Sequence, residues 1–366
     1  MMNITKPSLL LDENIVRKNI ERMLERAQNF NCELRPHFKT HQSQKIGEWF
    51  REYGINKCAV SSLEMAKYFF NADWADITVA FPLNILEHTT VNDLAGKIKL
   101  NLCVESIETV KALNDFLEHP VGIFLKIDAG YHRTGLDAEN FAEIETILKA
   151  LESNHLITIK GFLQHAGHTY QANGKKEINE IHAYTSEKMI NLKKHFQDHY
   201  PDIIISNGDT PTCSVSENFE HINEMRPGNF VFYDVMQAEI GSCGYDDIAV
   251  AMACPVVAKH PDRNEVIVYG GAIHFSKDRI EKDGKTIYGL IAEEKEKGWG
   301  KPIPDWYVKK LSQEHGTIQV PGKAFDQIKI GDLLYILPIH SCLTANLISK
   351  YYTLDGDEIE MFRYGC

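Results

Sequence analysis

The sequence lacks the features that would send it into a membrane or out of the cell. No apolar run approaches the ~20 residues that a membrane span requires, and the opening Met1-Met2-Asn3-Ile4-Thr5-Lys6-Pro7 carries no signal-peptide core. A cytoplasmic protein is therefore expected. Paired cysteines are missing too: Cys32, Cys58, Cys103, Cys213, Cys243, Cys254, Cys342 and Cys366 are scattered with no C-x-x-C among them. That excludes a disulfide framework and a closed structural zinc site. Positive charge is in short supply, and a net charge of -12 argues against general affinity for nucleic acid or an anionic membrane surface. Internal repeats and low-complexity tracts are absent as well, so the expected partners are small molecules.

What is present is an ordinary globular composition, 43% hydrophobic and 25% charged, in a chain of 366 residues with room for a large and a smaller domain. After a strand candidate at Ser8–Leu11, Asp12 caps a helix expected to run to Phe30. Short β-type runs then recur at Glu33–Phe38, Lys57–Ser61, Asp76–Phe81, Ile98–Val104, Val121–Ile127, Ile157–Phe162, Ile203–Ser206 and Ile222–Arg226, with helical segments between most of them. Eight strands alternating with helices predict a (β/α)8 TIM-type barrel over residues 12–235. Beyond about residue 236 the runs Ile248–Lys259, Glu265–Tyr269, Thr317–Val320, Leu333–Leu337, Tyr351–Leu354 and Glu358–Phe362 are separated by Gly, Pro and Asp. They predict a mostly antiparallel β domain over 236–366. Glu281–Lys301, rich in Glu, Lys and Gly, reads as a surface excursion, partly helical.

Chemistry is expected where barrel strands end. Arg35-Pro36-His37-Phe38-Lys39-Thr40-His41 places Lys39 where the first strand emerges, and cationic neighbours at Arg35, His37 and His41 disfavour its ammonium form, which suits a Schiff-base lysine. The competing reading is a solvated basic loop. Asp128 to Gly135 follows the fifth strand, and its glycines allow a tight path that aims Arg133 over the barrel mouth. Gly161 to Tyr170 follows the sixth with His165, His168 and Tyr170, able to stack on or hydrogen-bond an aromatic ring. Asn207-Gly208-Asp209-Thr210 and Arg226-Pro227-Gly228-Asn229 follow the seventh and eighth, and their backbone N–H groups can converge on a phosphate. In the second domain His340-Ser341-Cys342 ends a strand, where residues two apart share a face, so an imidazole and a thiolate can meet one ion. Two ligands make an open site.

In this order the segments resemble the D-serine dehydratase and D-threonine aldolase family of fold-type III pyridoxal-phosphate enzymes, the alanine racemase-like group. The resemblance spans nearly the whole chain. It implies that Lys39 carries pyridoxal 5'-phosphate and removes the substrate α-proton, that Arg133 lies near the cofactor's phenolic oxygen and His165 against its ring, and that Thr210, Gly228 and Asn229 hold the phosphate with Tyr170 nearby. Arg226 is the candidate for the pyridine nitrogen by analogy with the racemases. His340 and Cys342 would bind zinc or another divalent metal. The resemblance also implies that strand 1–11 joins the β domain and that the active site forms in a homodimer. Its activity would be dehydration of a D-3-hydroxy amino acid such as D-serine to a 2-keto acid and ammonia, or aldol cleavage to glycine and an aldehyde. His-x-Cys with zinc looks more like the dehydratases and His-x-Asp with manganese more like the aldolases. A racemase would share the architecture, with a tyrosine from the second domain as its opposite acid/base.

Overall fold

The computed structural model describes residues 3–322 and 324–363. Two compact units are formed, one of Glu21–Lys39 and Gly47–Gly228, the other of Met1–Ile20, Thr40–Ile46 and Asn229–Cys366. The chain passes between units at Ile20/Glu21, Lys39/Thr40, Ile46/Gly47 and Gly228/Asn229, whereas the sequence pattern alone puts a single cut near residue 236.

The first unit is the expected parallel barrel. Its strands neighbour one another in the order Glu33–Leu34, Glu224–Met225, Ile204–Asn207, Ile157–Gln164, Val121–Asp128, Lys99–Val104, Asp76–Pro82 and Lys57–Val60, and a bridge between His37 and Ala59 returns the last to the first. Strands buried on both faces are near-continuous in apolar residues, as Val121–Asp128 is. The helices start where capping residues permit: Ser62 accepts from the Met65 N–H, and Ser106 from that of Thr109. Gly161 sits at φ +146, and a Cβ there would lie 2.0 Å from the Ile204 carbonyl oxygen, so only glycine lets these two barrel strands approach.

Inside the barrel lies a polar layer that the strand pattern does not announce. Arg35, 4% exposed, pairs through Nε with Glu224 at 2.6 Å and through Nη1 with Asp76 at 2.7 Å. Glu224 accepts in turn from the Ser206 hydroxyl at 2.7 Å. Burial works against the Arg35 charge, but the two carboxylates more than offset it and hold its pKa above the ordinary value.

The second unit is a mostly antiparallel sheet. Val250–His260 pairs with both Glu265–Tyr269 and Leu333–Pro338, and the ring closes through His315–Gln319, Trp299–Leu311 and Gly289–Glu294. Strand Ser8–Leu11 extends it, antiparallel to Val250–His260 and parallel to Lys350–Thr353. One sequence expectation is corrected here. The segment Glu281–Lys301 is no helical excursion: it contributes the hairpin Ile280–Lys282/Lys285–Ile287, the ring strand Gly289–Glu294 and the start of Trp299–Leu311. Its charges gather at the turn between the two ring strands, and the register shifts along that pairing blur the alternation. Among the described residues no helix is long and apolar enough to cross a membrane, and no disulfide links the seven cysteines; Cys366 lies outside the described residues.

Candidate active site

The backbone leading to Lys39 is clamped on both sides. His37 N–H donates to the Pro227 carbonyl and Phe38 N–H to that of Ala59, both at 2.8 Å. Phe38 is fully buried against Phe69, Trp74 and Phe50, with ring centroids 4.8, 4.8 and 5.2 Å away. The strand gives way to a turn at Phe38 and Lys39, so the buried Phe38 ring anchors the turn that carries Lys39. Lys39 itself is exposed at the end of this segment.

The sequence reading of its neighbours needs correction. Arg35 is not beside Lys39 as an uncompensated cation; it is consumed by Glu224 and Asp76 in the barrel interior. His37 is buried, accepts the Lys39 N–H on Nδ1 at 3.3 Å, and is held neutral, its pKa well below the ordinary value through burial and then the Lys39 charge. His41 belongs to the other unit and is neutral, pushed down to about 3 by burial. The cations left around Lys39 are Arg133 and Arg226, whose charges act on the same two histidines, His37 and His165.

Arg226, 4% exposed at the end of the eighth strand, donates from Nε to Ser206 Oγ at 3.2 Å and from Nη2 to the Gln164 carbonyl at 2.7 Å. Gln164 holds Asn207 at 2.6 Å. The Asn207 Nδ2 group is buried with no protein acceptor among the described residues. Gly208 follows; a Cβ there would stand 2.7 Å from Arg226 Nη1 and 2.8 Å from the Arg226 carbonyl oxygen, so the turn passes this side chain only as glycine. The Gly208 carbonyl accepts from His165 Nδ1–H. His165 thus keeps an unprotonated Nε2, its pKa lowered by burial and then by Lys39 and Arg133. Tyr170 Oη accepts the Thr210 N–H at 3.2 Å, and Asp209 caps the following turn by accepting the Thr212 N–H at 2.7 Å.

The loop that delivers Arg133 is organised by Asp128, whose Oδ1 accepts the N–H groups of Gly130, Tyr131 and His132. Gly135, at φ +118, returns the chain where a Cβ would strike the Asp128 nitrogen at 2.6 Å. Arg133 lies exposed over the Tyr131 ring, 5.3 Å from its centroid, and Tyr131 meets the His165 ring edge-on at 5.9 Å. Lys39, Arg133, His165, Tyr170, Thr210, Arg226 and Gly228 all fall in this unit. Tyr131 and Gln164 stand in no sequence pattern of their own, and the turn beginning at Asn207 points to its backbone rather than to its side-chain amide.

In the other unit, His340 and Cys342 meet for a different reason than strand alternation. The strand ends at Pro338; His340 is extended and caps the helix Ser341–Leu347, so Cys342 sits in its first turn. His340 Nδ1–H donates to Asp278 Oδ2 at 2.6 Å, and the Cys342 sulfur also hydrogen-bonds His340. Burial alone would lower the His340 pKa, but Asp278 and Cys342 raise it to about 11, so a cation bound by this imidazole would have to displace a proton. Thr40 Oγ1 lies 3.2 Å from Cys342 Sγ. Asn229 donates through Nδ2 to Asp234 at 2.7 Å, Ser341 at 3.0 Å and Cys342 at 3.5 Å, so its side chain is committed to this centre. Among the described residues no cluster of three His, Cys, Asp or Glu could hold a metal. Imidazole and thiolate form an open two-ligand pair of the kind that suits zinc.

The chain also matches known proteins along its length. The family model for the alanine racemase N-terminal domain covers residues 11–235, and that for a putative serine dehydratase domain covers 249–354. A D-serine dehydratase of Dictyostelium discoideum is 31% identical, over 97% of this chain and 94% of that protein. The chain belongs to the D-serine dehydratase family. Its relatives are named dehydratases and aldolases, and the family is one of pyridoxal-phosphate-dependent lyases on the alanine racemase-like fold. The D-threo-3-hydroxyaspartate dehydratase of Delftia sp. HT23 is 26% identical, over 98% of this chain and 96% of that one. Its solved structure superposes with a TM-score of 0.90 at 25% identity, covering 99% and 98% of the two chains. A cysteine-to-alanine variant of it in the metal-free form gives 0.92 at 24% identity and the same coverage. D-threonine aldolase from Filomicrobium marinum shares the fold, with a TM-score of 0.84 at 17% identity over 97% and 96%.

Proposed function

We propose that the protein is a pyridoxal-phosphate- and metal-dependent dehydratase that converts a D-3-hydroxy amino acid, D-serine or a threo-3-substituted relative, to a 2-keto acid and ammonia. The observation that carries this reading is the His340/Cys342 pair, in a chain that matches dehydratases over 97% and 98% of its length. The residues of the barrel mouth fit the cofactor: an exposed lysine, an orphaned buried Asn207 amide, two neutral histidines, and a turn at Gly208 with no room for a side chain. Lys39 would be the Schiff-base lysine, with His165 against the ring, Arg133 near the phenolic oxygen and Arg226 the candidate for the pyridine nitrogen. Thr210, Gly228 and Asn229 supply N–H groups to the phosphate, with Tyr170 beside Thr210; for Asn229 this leaves its backbone, since its amide is engaged elsewhere. When bound, the cofactor supplies an electron sink for a carbanion at Cα, and a divalent cation supplies Lewis acidity at the β-hydroxyl.

Lys39 Nζ takes the α-proton, and the β-hydroxyl leaves as water. The resulting enamine takes up water to give the keto acid and ammonia. His37 and His165, neutral over the physiological range, add no charge that would repel the lysine proton. The relatives include a 3-hydroxy-D-aspartate aldolase, which makes aldol cleavage the second reading. Incubating zinc-loaded protein with D-serine, D-threo-3-hydroxyaspartate and D-threonine separates them: the account expects keto acid and ammonia, and glycine with an aldehyde as the dominant products would overturn it. We further place the working enzyme in the cytoplasm as a homodimer, which sedimentation of the holoenzyme checks.

A further inference from the structure

We propose that Asp278 is the positioning residue of the metal centre: its carboxylate takes Nδ1–H of His340, so that Nε2 is the nitrogen offered to the cation together with the Cys342 sulfur. This rests on the metal reading above and adds a residue outside the His-x-Cys motif. The 2.6 Å contact involves an acceptor that cannot donate, which fixes the imidazole tautomer and ring plane. The segment bearing Asp278 is built for the task. It follows the short helix Ala272–Phe275, whose Phe275 carbonyl accepts from Thr344 Oγ1 at 3.2 Å, tying it to the helix that carries Cys342. Ser276, in the left-handed region at φ +70, then turns the chain and accepts the Asp278 N–H on its hydroxyl at 3.1 Å. The neighbouring cation Arg279 is paired with Glu281 at 3.3 Å, which leaves the Asp278 carboxylate to His340.

The test measures Zn2+ affinity of the cofactor-loaded protein by competition with a chromophoric chelator, and the thiolate-to-metal absorption of the Co2+ form. Asp278→Ala should bind Zn2+ about 10–100-fold more weakly than wild type while keeping the thiolate band, Asp278→Asn should fall between, and Asp278→Glu should recover part of the loss. Asp278 is one-third exposed, and unchanged melting of the variants separates the effect from folding. Affinity unchanged in Asp278→Ala but lost in His340→Ala overturns this assignment alone. Loss in Asp278→Ala as complete as in His340→Ala would make Asp278 a ligand and overturn the positioning role. Affinity unchanged in both His340→Ala and Cys342→Ala overturns the metal reading, and this inference with it.

Discussion

Gly208→Ala probes how the barrel holds a ring-shaped ligand. The added methyl would stand 2.7 Å from Arg226 Nη1, 2.8 Å from the Arg226 carbonyl oxygen and 2.9 Å from Cζ. None of these can yield cheaply. The guanidinium is tied to Ser206 and Gln164, and the Arg226 backbone N–H is bonded to the Asn207 carbonyl at 2.7 Å. If Gly208 moves instead, its carbonyl leaves His165 Nδ1. Either relaxation displaces a side chain assigned to the cofactor. Overpacking of this kind costs about 1–3 kcal/mol, and at about 1.4 kcal/mol per tenfold the loss in pyridoxal-phosphate affinity should be roughly 10–100-fold. Absorbance titration with the cofactor measures it, alongside thermal denaturation. Gly244→Ala is the control, because its Cβ would meet nothing nearer than 3.6 Å. Wild-type cofactor affinity and melting in Gly208→Ala would show that Arg226 and His165 are not fixed as described.

Glu224→Gln removes one partner of a buried ion pair and leaves Arg35 with Asp76 alone, so denaturant unfolding should report a loss of about 3 kcal/mol. Stability should also fall as pH drops below ~6.5, because the unfolded chain protonates histidines that the fold holds neutral, and the folded values of His37, His41 and His165 all lie below the unfolded one. With His41 at about 3, its share at pH 5 is roughly 2 kcal/mol; a flat stability curve between pH 7 and 5 would contradict the burial. Chelation should stop turnover while leaving the melting temperature nearly unchanged, since a two-ligand site does not hold a sheet together.

The barrel is legible in the sequence because each strand is a short apolar run ended by turn chemistry and followed by a helical period, and the structure keeps all eight near their expected places. The loops after them were legible through Gly, Asp and His where strands end. Local patterns do not carry what depends on distant partners. Arg35 reads as part of a basic cluster until Glu224, 189 positions away, is seen to neutralise it. Asp278 stands 62 positions from His340 with no spacing rule to join them. The ring strands Gly289–Glu294 and Trp299–Leu311 were hidden by the charged turn between them and by shifts in their register.

Lys39 has one rival in the barrel. Lys126 is buried, its pKa lowered to about 8 by burial and the Arg226 charge, as a Schiff-base lysine would need. Yet its Nζ donates to the carbonyls of Ile127 at 3.1 Å and Thr134 at 3.3 Å, whereas the Lys39 side chain is exposed at the strand end. Borohydride reduction of the cofactor-loaded protein, followed by peptide mapping, decides between them. The account predicts that the pyridoxyl label falls on Lys39 and that Lys39→Ala abolishes the visible absorbance. Label on Lys126, or undiminished absorbance in Lys39→Ala, would contradict it.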